Sequence, residues 1–344
     1  MITTASQSDT APPTVPHSGF ATRITRLFGI EHPILCGGLM WLADARYVAA
    51  TVNAGAMGFI TARTFPDPGA FRAELQACAA LTGGRPFGVN LYMTPRAEEN
   101  VMLAGHVDIL LDEGVRHIET AGLPPKDLLP RLKEAGAIVM HKTATVRHAE
   151  SAARLDVDAI ALVGAECGGH PGLALVGSLV QAPLAATRIT KPLVIGGGIG
   201  HGSQIAAALA MGADAVLIGS RMLVADEIPA HDAYKDRMLA ADETASRLIM
   251  ASFRNTYRVL DNEDARAVAE LEAAGERDFA RYRPHVAGTR QKEAYTTGDT
   301  ERGVLSMGQS IAFATMRQPA AAIIAQLMTE ARAAHARLAS LGDR

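Results

Sequence analysis

The sequence predicts an α/β chain folded as a TIM (β/α)8 barrel with a small inserted helical domain. Three observations predict it. Eight short apolar runs alternate with Ala-rich amphipathic segments, each run is apolar almost throughout, and the rhythm stops after the eighth. Runs that lack polar alternation belong to strands covered on both faces, as in parallel sheets. Eight alternations favour a closed barrel over an open doubly wound sheet, the alternative architecture.

The strand runs are PILCGG (33–38), AMGFITA (56–62), PFGVNLY (86–92), VRHIETA (115–121), AIVMHKT (137–143), DAIALVG (158–164), KPLVIGGG (191–198) and DAVLIGS (214–220). Between them lie helical segments such as ADARYVAATVNAG, LLPRLKEAG, RHAESAARLD and SQIAAALAMGA, several ending in glycine or a polar turn. The barrel is assigned to residues 21–230. Residues 231–300 are richer in charge and read as helical throughout, in DAYKDRMLAADETASRLIM and NEDARAVAELEAAGERDFARY, with no strand-like repeat. They are expected to form a substrate-covering domain over one barrel face. Residues 301–344 are expected to return to the barrel as a closing helix, and residues 1–20, polar and rich in Pro, Ser and Thr, to be a flexible lead-in.

The chain has 344 residues, is 48% hydrophobic and 20% charged, and carries a net charge of −3 with dispersed Lys and Arg. This balance gives no electrostatic reason to expect nucleic acid or an anionic membrane as partner. A small-molecule substrate is expected, and oligomeric state is not legible. No apolar stretch approaches the roughly 18–20 residues that span a bilayer. Cys36, Cys78 and Cys167 form no CxxC pair and no disulfide framework, so a reducing, cytoplasmic setting is expected.

In a (β/α)8 barrel the reacting groups sit on loops after the C-terminal ends of the strands. Those positions hold CGGLM, VNLYMTP, HKTAT, GAECGGHPG, GGGIGHG and GSRM. Gly196, Gly197, Gly198, Gly219 and Ser220 follow strands seven and eight, the usual phosphate position, where bare backbone N–H groups can approach an anion. GGGIGHG does not satisfy GxGxxG, so a dinucleotide site is not indicated. Lys142 reads as a cofactor contact, with a Schiff base or a solvent-reaching strand end as alternatives. Gly168 and Gly169 let the chain pass close to a flat ligand, and His170 then reaches a substrate as proton carrier or hydrogen-bond donor, or else merely caps its loop. Glu166 is an acid or a turn stabiliser, and Cys167 lacks an activating partner. His141, His148 and His201 with Glu166 have no metal-ligand spacing, so no metal is expected.

At ECGGHPG, VMHKTATVRHAESA and RLIMASFRNTYRVLDN, and from TRLFGIEHPILCGGLM to GDTERGVLSMGQS, the chain resembles the FMN-dependent nitronate monooxygenase family, formerly 2-nitropropane dioxygenases. That family also contains NADH:quinone reductases and flavin-dependent enoyl reductases. The resemblance implies FMN at the barrel rim beneath the inserted domain. Gly37, Gly38 and Leu39 would lie along the flavin, and Asn90 and Lys142 would contact its ring or side chain. Gly197, Gly198, Gly219 and Ser220 would hold the phosphate, and His170 would be the active-site histidine. It implies oxidation of alkyl nitronates or propionate-3-nitronate with O2 to carbonyl compound and nitrite. The alternative is an NAD(P)H-dependent reductase of quinones or activated alkenes, with NAD(P)H a transient reductant. A non-catalytic phosphate-binding barrel and a Lys142 Schiff-base lyase are the remaining classes. GLALVGSLVQAPL lacks the acidic residues associated with the quinone-reductase members, and close relatives often carry alanine or a different small residue around Cys167 and Gly168.

Overall fold

In the computed structural model, which describes residues 19–342, eight parallel strands close into a barrel. They are β1 (Ile34–Cys36), β2 (Met57–Thr61), β3 (Gly88–Met93), β4 (His117–Gly122), β5 (Ile138–Thr143), β6 (Ala159–Val163), β7 (Leu193–Gly196) and β8 (Ala215–Ile218). Each pairs with the next, and β1 pairs with β8 through Ile34↔Val216, Leu35↔Leu217 and Cys36↔Ile218, which closes the ring. All eight expected runs are therefore strands. The expected flexible lead-in, 1–20, lies almost wholly outside the described residues.

Strand alternation sorts the side chains into two cores. One parity, including Ile34, Ile60, Ile160, Leu162, Leu193, Ile195, Val216 and Ile218, packs outward against the helices. The other, including Leu35, Met57, Phe59, Met140, Ala159, Ala161, Val194, Ala215 and Leu217, fills the cylinder. Large and small residues offset one another there: a Cβ on Gly88 would come within 2.2 Å of the Phe59 ring. The helix Arg23–Phe28 plugs the lower end, with Phe28 against Phe59 and His117. Continuing the inward parity upward puts Gly37, Thr61, Asn90, Glu119, Lys142, Gly196 and Gly219 at the upper end, where the strands finish.

Residues 231–300 correct one expectation. The segment is not helical throughout. Its helices, Asp232–Leu239, Glu263–Ala273, Phe279–Val286 and Gly288–Thr297, flank an antiparallel hairpin of β9 (Ser246–Ile249) and β10 (Tyr257–Leu260). The helix expected to run through residue 250 ends early because Asp242 turns back on the chain: its carboxylate accepts from the Thr244 backbone N–H and hydroxyl at 2.8 and 2.7 Å. At the C-terminus the long helix begins only at Ala320, directly after Pro319, and the preceding Gln309–Phe313 turn is 3₁₀. That helix, Ala320–Gly342, lays Ile323, Ile324, Leu327 and Met328 into the outer core. No helix among the described residues is long and apolar enough to cross a membrane.

Candidate active site

Three expected site residues converge on a residue that sequence reasoning missed. Glu119 of β4 has no exposed surface. Its Oε2 accepts from the Gly38 backbone N–H at 3.1 Å and from Asn90 Nδ2 at 2.9 Å, and its Oε1 lies 2.7 Å from Lys142 Nζ. Strand register explains the convergence, since Asn90 pairs directly with Glu119 and Lys142 with Ala121 one pleat above. An ion pair therefore sits at the base of the upper mouth, with the Lys142 side chain 23% exposed. Thr61, also unflagged, is 2% exposed, and its hydroxyl is a buried group with no hydrogen-bond partner among the described residues. A buried orphan of this kind is costly and marks a place for a ligand's polar atom.

Gly38 has no room for a side chain: a Cβ would meet Asn90 Cβ at 2.5 Å and Thr61 Oγ1 at 2.9 Å. Across the mouth, Gly197 and Gly198 turn through positive φ, +93° and +75°. A Cβ at Gly219 would meet only Leu39 Cδ2, at 3.9 Å, so main chain there faces open space with Leu39 opposite. Gly196 ends β7 and is buried. Ser220 is committed in part to the fold, its Oγ accepting from the Gly308 N–H at 2.8 Å while its own proton stays free to donate elsewhere. A cavity of about 440 Å³ touches Gly197 and Gly198 together with Ser178, Gln204, Gln309 and Phe313. His170 and Lys142 are not among its lining residues.

The His170 loop is held by the hairpin. Gly169 pairs with Arg258 of β10, N–H to O at 3.0 Å and the reverse at 2.6 Å, and the Arg258 Nε and Nη2 both donate to the Ala165 carbonyl. Gly168 is pressed on the other side, where a Cβ would lie 2.7 Å from the Gly308 nitrogen. The His170 imidazole stacks on Tyr257 with centroids 4.4 Å apart and planes 9° apart, while the Tyr257 hydroxyl and Ser306 Oγ share a 2.7 Å hydrogen bond. Burial among these groups pushes the His170 pKa down to about 4, whereas the side chain is exposed to solvent at its edge. Solvent access weakens the shift without reversing it, so the ring favours its neutral form at pH 7.

Several alternatives resolve. Glu166 stabilises a turn: its carboxylate accepts from the Ser178 N–H at 2.9 and 3.0 Å and from Ser178 Oγ at 2.8 Å, at the start of the helix Ser178–Ala186. Burial pushes the Cys167 thiol up to about 11, which leaves it protonated. His141 faces the outer core against Thr120 Oγ1, His201 caps the helix Gly202–Ala210, and no cluster of metal-ligating side chains occurs among the described residues.

The upper end offers bare main chain after β7 and β8, side-chain-free approach at Gly38, a cation at Lys142 and a Thr61 hydroxyl unpaired among the described residues, groups with which a phosphate-bearing flavin would be compatible. Residues 21–330 match the model of the nitronate monooxygenase family, and the chain belongs to that family of flavin oxidoreductases. It is 37% identical over 221 residues to a (3aS,4S,5R,7aS)-5-hydroxy-7a-methyl-1-oxo-octahydro-1H-indene-4-carboxyl-CoA dehydrogenase of Mycobacterium tuberculosis, covering 64% of this chain and 60% of that protein. To the enzyme of the same name in Rhodococcus jostii it is 35% identical, over 75% of this chain and 70% of the relative. Among solved structures, FabK from Thermotoga maritima superposes with a TM-score of 0.85 at 29% identity, covering 93% of this chain and 99% of FabK. Nitroalkane oxidase from Streptomyces ansochromogenes gives 0.78 at 27%, covering 92% and 99%.

Proposed function

We infer that the chain is an FMN-dependent oxidoreductase of carbon acids, with alkyl nitronates or propionate-3-nitronate as its first substrate class and O2 as acceptor. Bound FMN supplies the electron acceptor. Gly196–Gly198, Gly219 and Ser220 would hold its phosphate, while Gly37, Gly38, Leu39, Asn90, Lys142, Gly168 and Gly169 would line its ring. The observation that carries the reading is the His170 imidazole stacked on Tyr257 in a loop held by the Gly169–Arg258 pairing, where burial pushes its pKa down and favours the neutral ring. A neutral imidazole offers one N–H and one lone pair. A nitronate arrives with its carbon already deprotonated, so it asks of His170 a hydrogen bond to its oxygens rather than a strong base.

A second reading is a reductase or dehydrogenase of activated thioesters or alkenes, with NAD(P)H as transient reductant. Two observations favour it. Two relatives are named carboxyl-CoA dehydrogenases, and the segment after His170 exposes Leu173, Leu175, Val176, Leu179 and Val180, an apolar surface larger than a small nitronate needs.

Anaerobic mixing separates the readings. Bleaching of the flavin band by a nitronate without NAD(P)H supports the first, and bleaching by NADH or NADPH supports the second. A colourless protein that cannot be reconstituted with FMN overturns both.

A further inference from the structure

We propose that Glu119 is a positioning residue: its carboxylate binds Lys142, Asn90 and the Gly37–Gly38 turn into one unit and sets the charge that the cofactor ring meets. The inference rests on the FMN reading above. Its own basis is geometric.

Glu119 is fully buried in the cylinder among residues that are otherwise apolar or small, such as Met140 and Leu217. An ionised carboxylate in such a place is strongly destabilising unless it is paired and hydrogen-bonded. Here one oxygen takes two N–H groups, from Gly38 and Asn90, and the other, which accepts no hydrogen bond among the described residues, is ion-paired with the Lys142 ammonium at 2.7 Å. A Cβ on Gly37 would lie 3.6 Å from the same Oε1, so this turn also packs on the carboxylate. Every sequence-flagged group on this side of the mouth, Leu39 apart, therefore owes its position to one side chain.

The arrangement has an electrostatic result. Glu119 lies on the core side and Lys142 on the mouth side, so the pair is neutral in sum with its positive end towards the ligand. Two-electron reduction adds negative charge to a flavin ring, and a cation beside the ring favours it. Removing the carboxylate charge exposes the full Lys142 charge; removing the lysine leaves the carboxylate.

The test is the two-electron reduction potential of the FMN-loaded protein, measured for wild type, Glu119→Gln, Lys142→Met and the double variant. The expected result is a higher potential in E119Q, by about a tenfold change in the two-electron equilibrium constant, or about 30 mV. K142M shifts the other way, and the double variant returns towards wild type. Glu119→Asp keeps the charge but draws it back from Lys142, so if E119Q does not fold, a rise in potential in E119D supports the proposal and an unmoved potential overturns it. Single variants that bind FMN at an unmoved potential overturn it, because a purely structural role lowers stability and leaves the potential alone. A wild-type protein that takes up no FMN defeats the underlying reading instead, and the missing chromophore tells the two failures apart.

Discussion

Strands β3 to β5 meet the barrel mouth with side chains, Asn90, Glu119 and Lys142, whereas β7 and β8 meet it with main chain, at Gly196–Gly198 and Gly219. On the first side a charge is held in place by a second charge beneath it. On the second, N–H dipoles are fixed by the turns themselves and need no side chain to aim them. The first arrangement suits a group whose electronic state changes during reaction, the second a phosphate whose charge does not. His170 is the exception on the glycine side, and it is held from outside the barrel by the hairpin.

The sharpest way to break this comparison is His170→Ala. The variant is expected to keep FMN, since both holding arrangements remain, and to lose about 10²- to 10⁴-fold in turnover. Steady-state rates and flavin absorbance measure the two together; loss of FMN alongside turnover would move His170 into the holding machinery. A milder contrast comes from alanine at two glycines. Gly38→Ala drives a methyl group into Asn90 and should destabilise the apoprotein by about 1–3 kcal/mol. Gly219→Ala meets nothing closer than 3.9 Å and should leave apoprotein stability within about 0.5 kcal/mol while weakening FMN binding. Denaturant unfolding without cofactor, followed by FMN titration, checks both.

The smallest effect concerns pH. Burial, with Lys142 adding to it, pushes His141 down to about 4, and burial does the same to His117. The unfolded chain therefore takes up these protons first, near pH 6.5, and the folded chain resists them. Stability is fully present above about pH 6.5 and declines as pH falls towards 4. His141→Gln should flatten this decline in a series of thermal melts, and an unchanged decline would show that other groups carry it.

The glycine side was legible in the sequence, because bare loops after the seventh and eighth apolar runs have few other uses. The side-chain half was legible only in part. Lys142 and Asn90 stand out beside their motifs, but Glu119 in VRHIETA reads as the polar member of an ordinary strand, and only the parity of the closed cylinder turns it inward. Thr61 hides in the same way. The hairpin escaped notice because SRLI and YRVL are short and carry arginines, and because the bend between them uses positive φ at Met250 and Arg254 in place of glycine. The apolar alternation of YRVL was its available signal.

The pairing of Gly169 with Arg258 has a consequence for how the enzyme comes into being. A ribosome that has finished β8 has made every stave of the cylinder, yet the clasp that seats the imidazole is still some forty residues from being translated. Every stave is thus made before the loop of the histidine can be seated. Exchange of that later stretch alone between related genes would re-aim the histidine without disturbing a single stave.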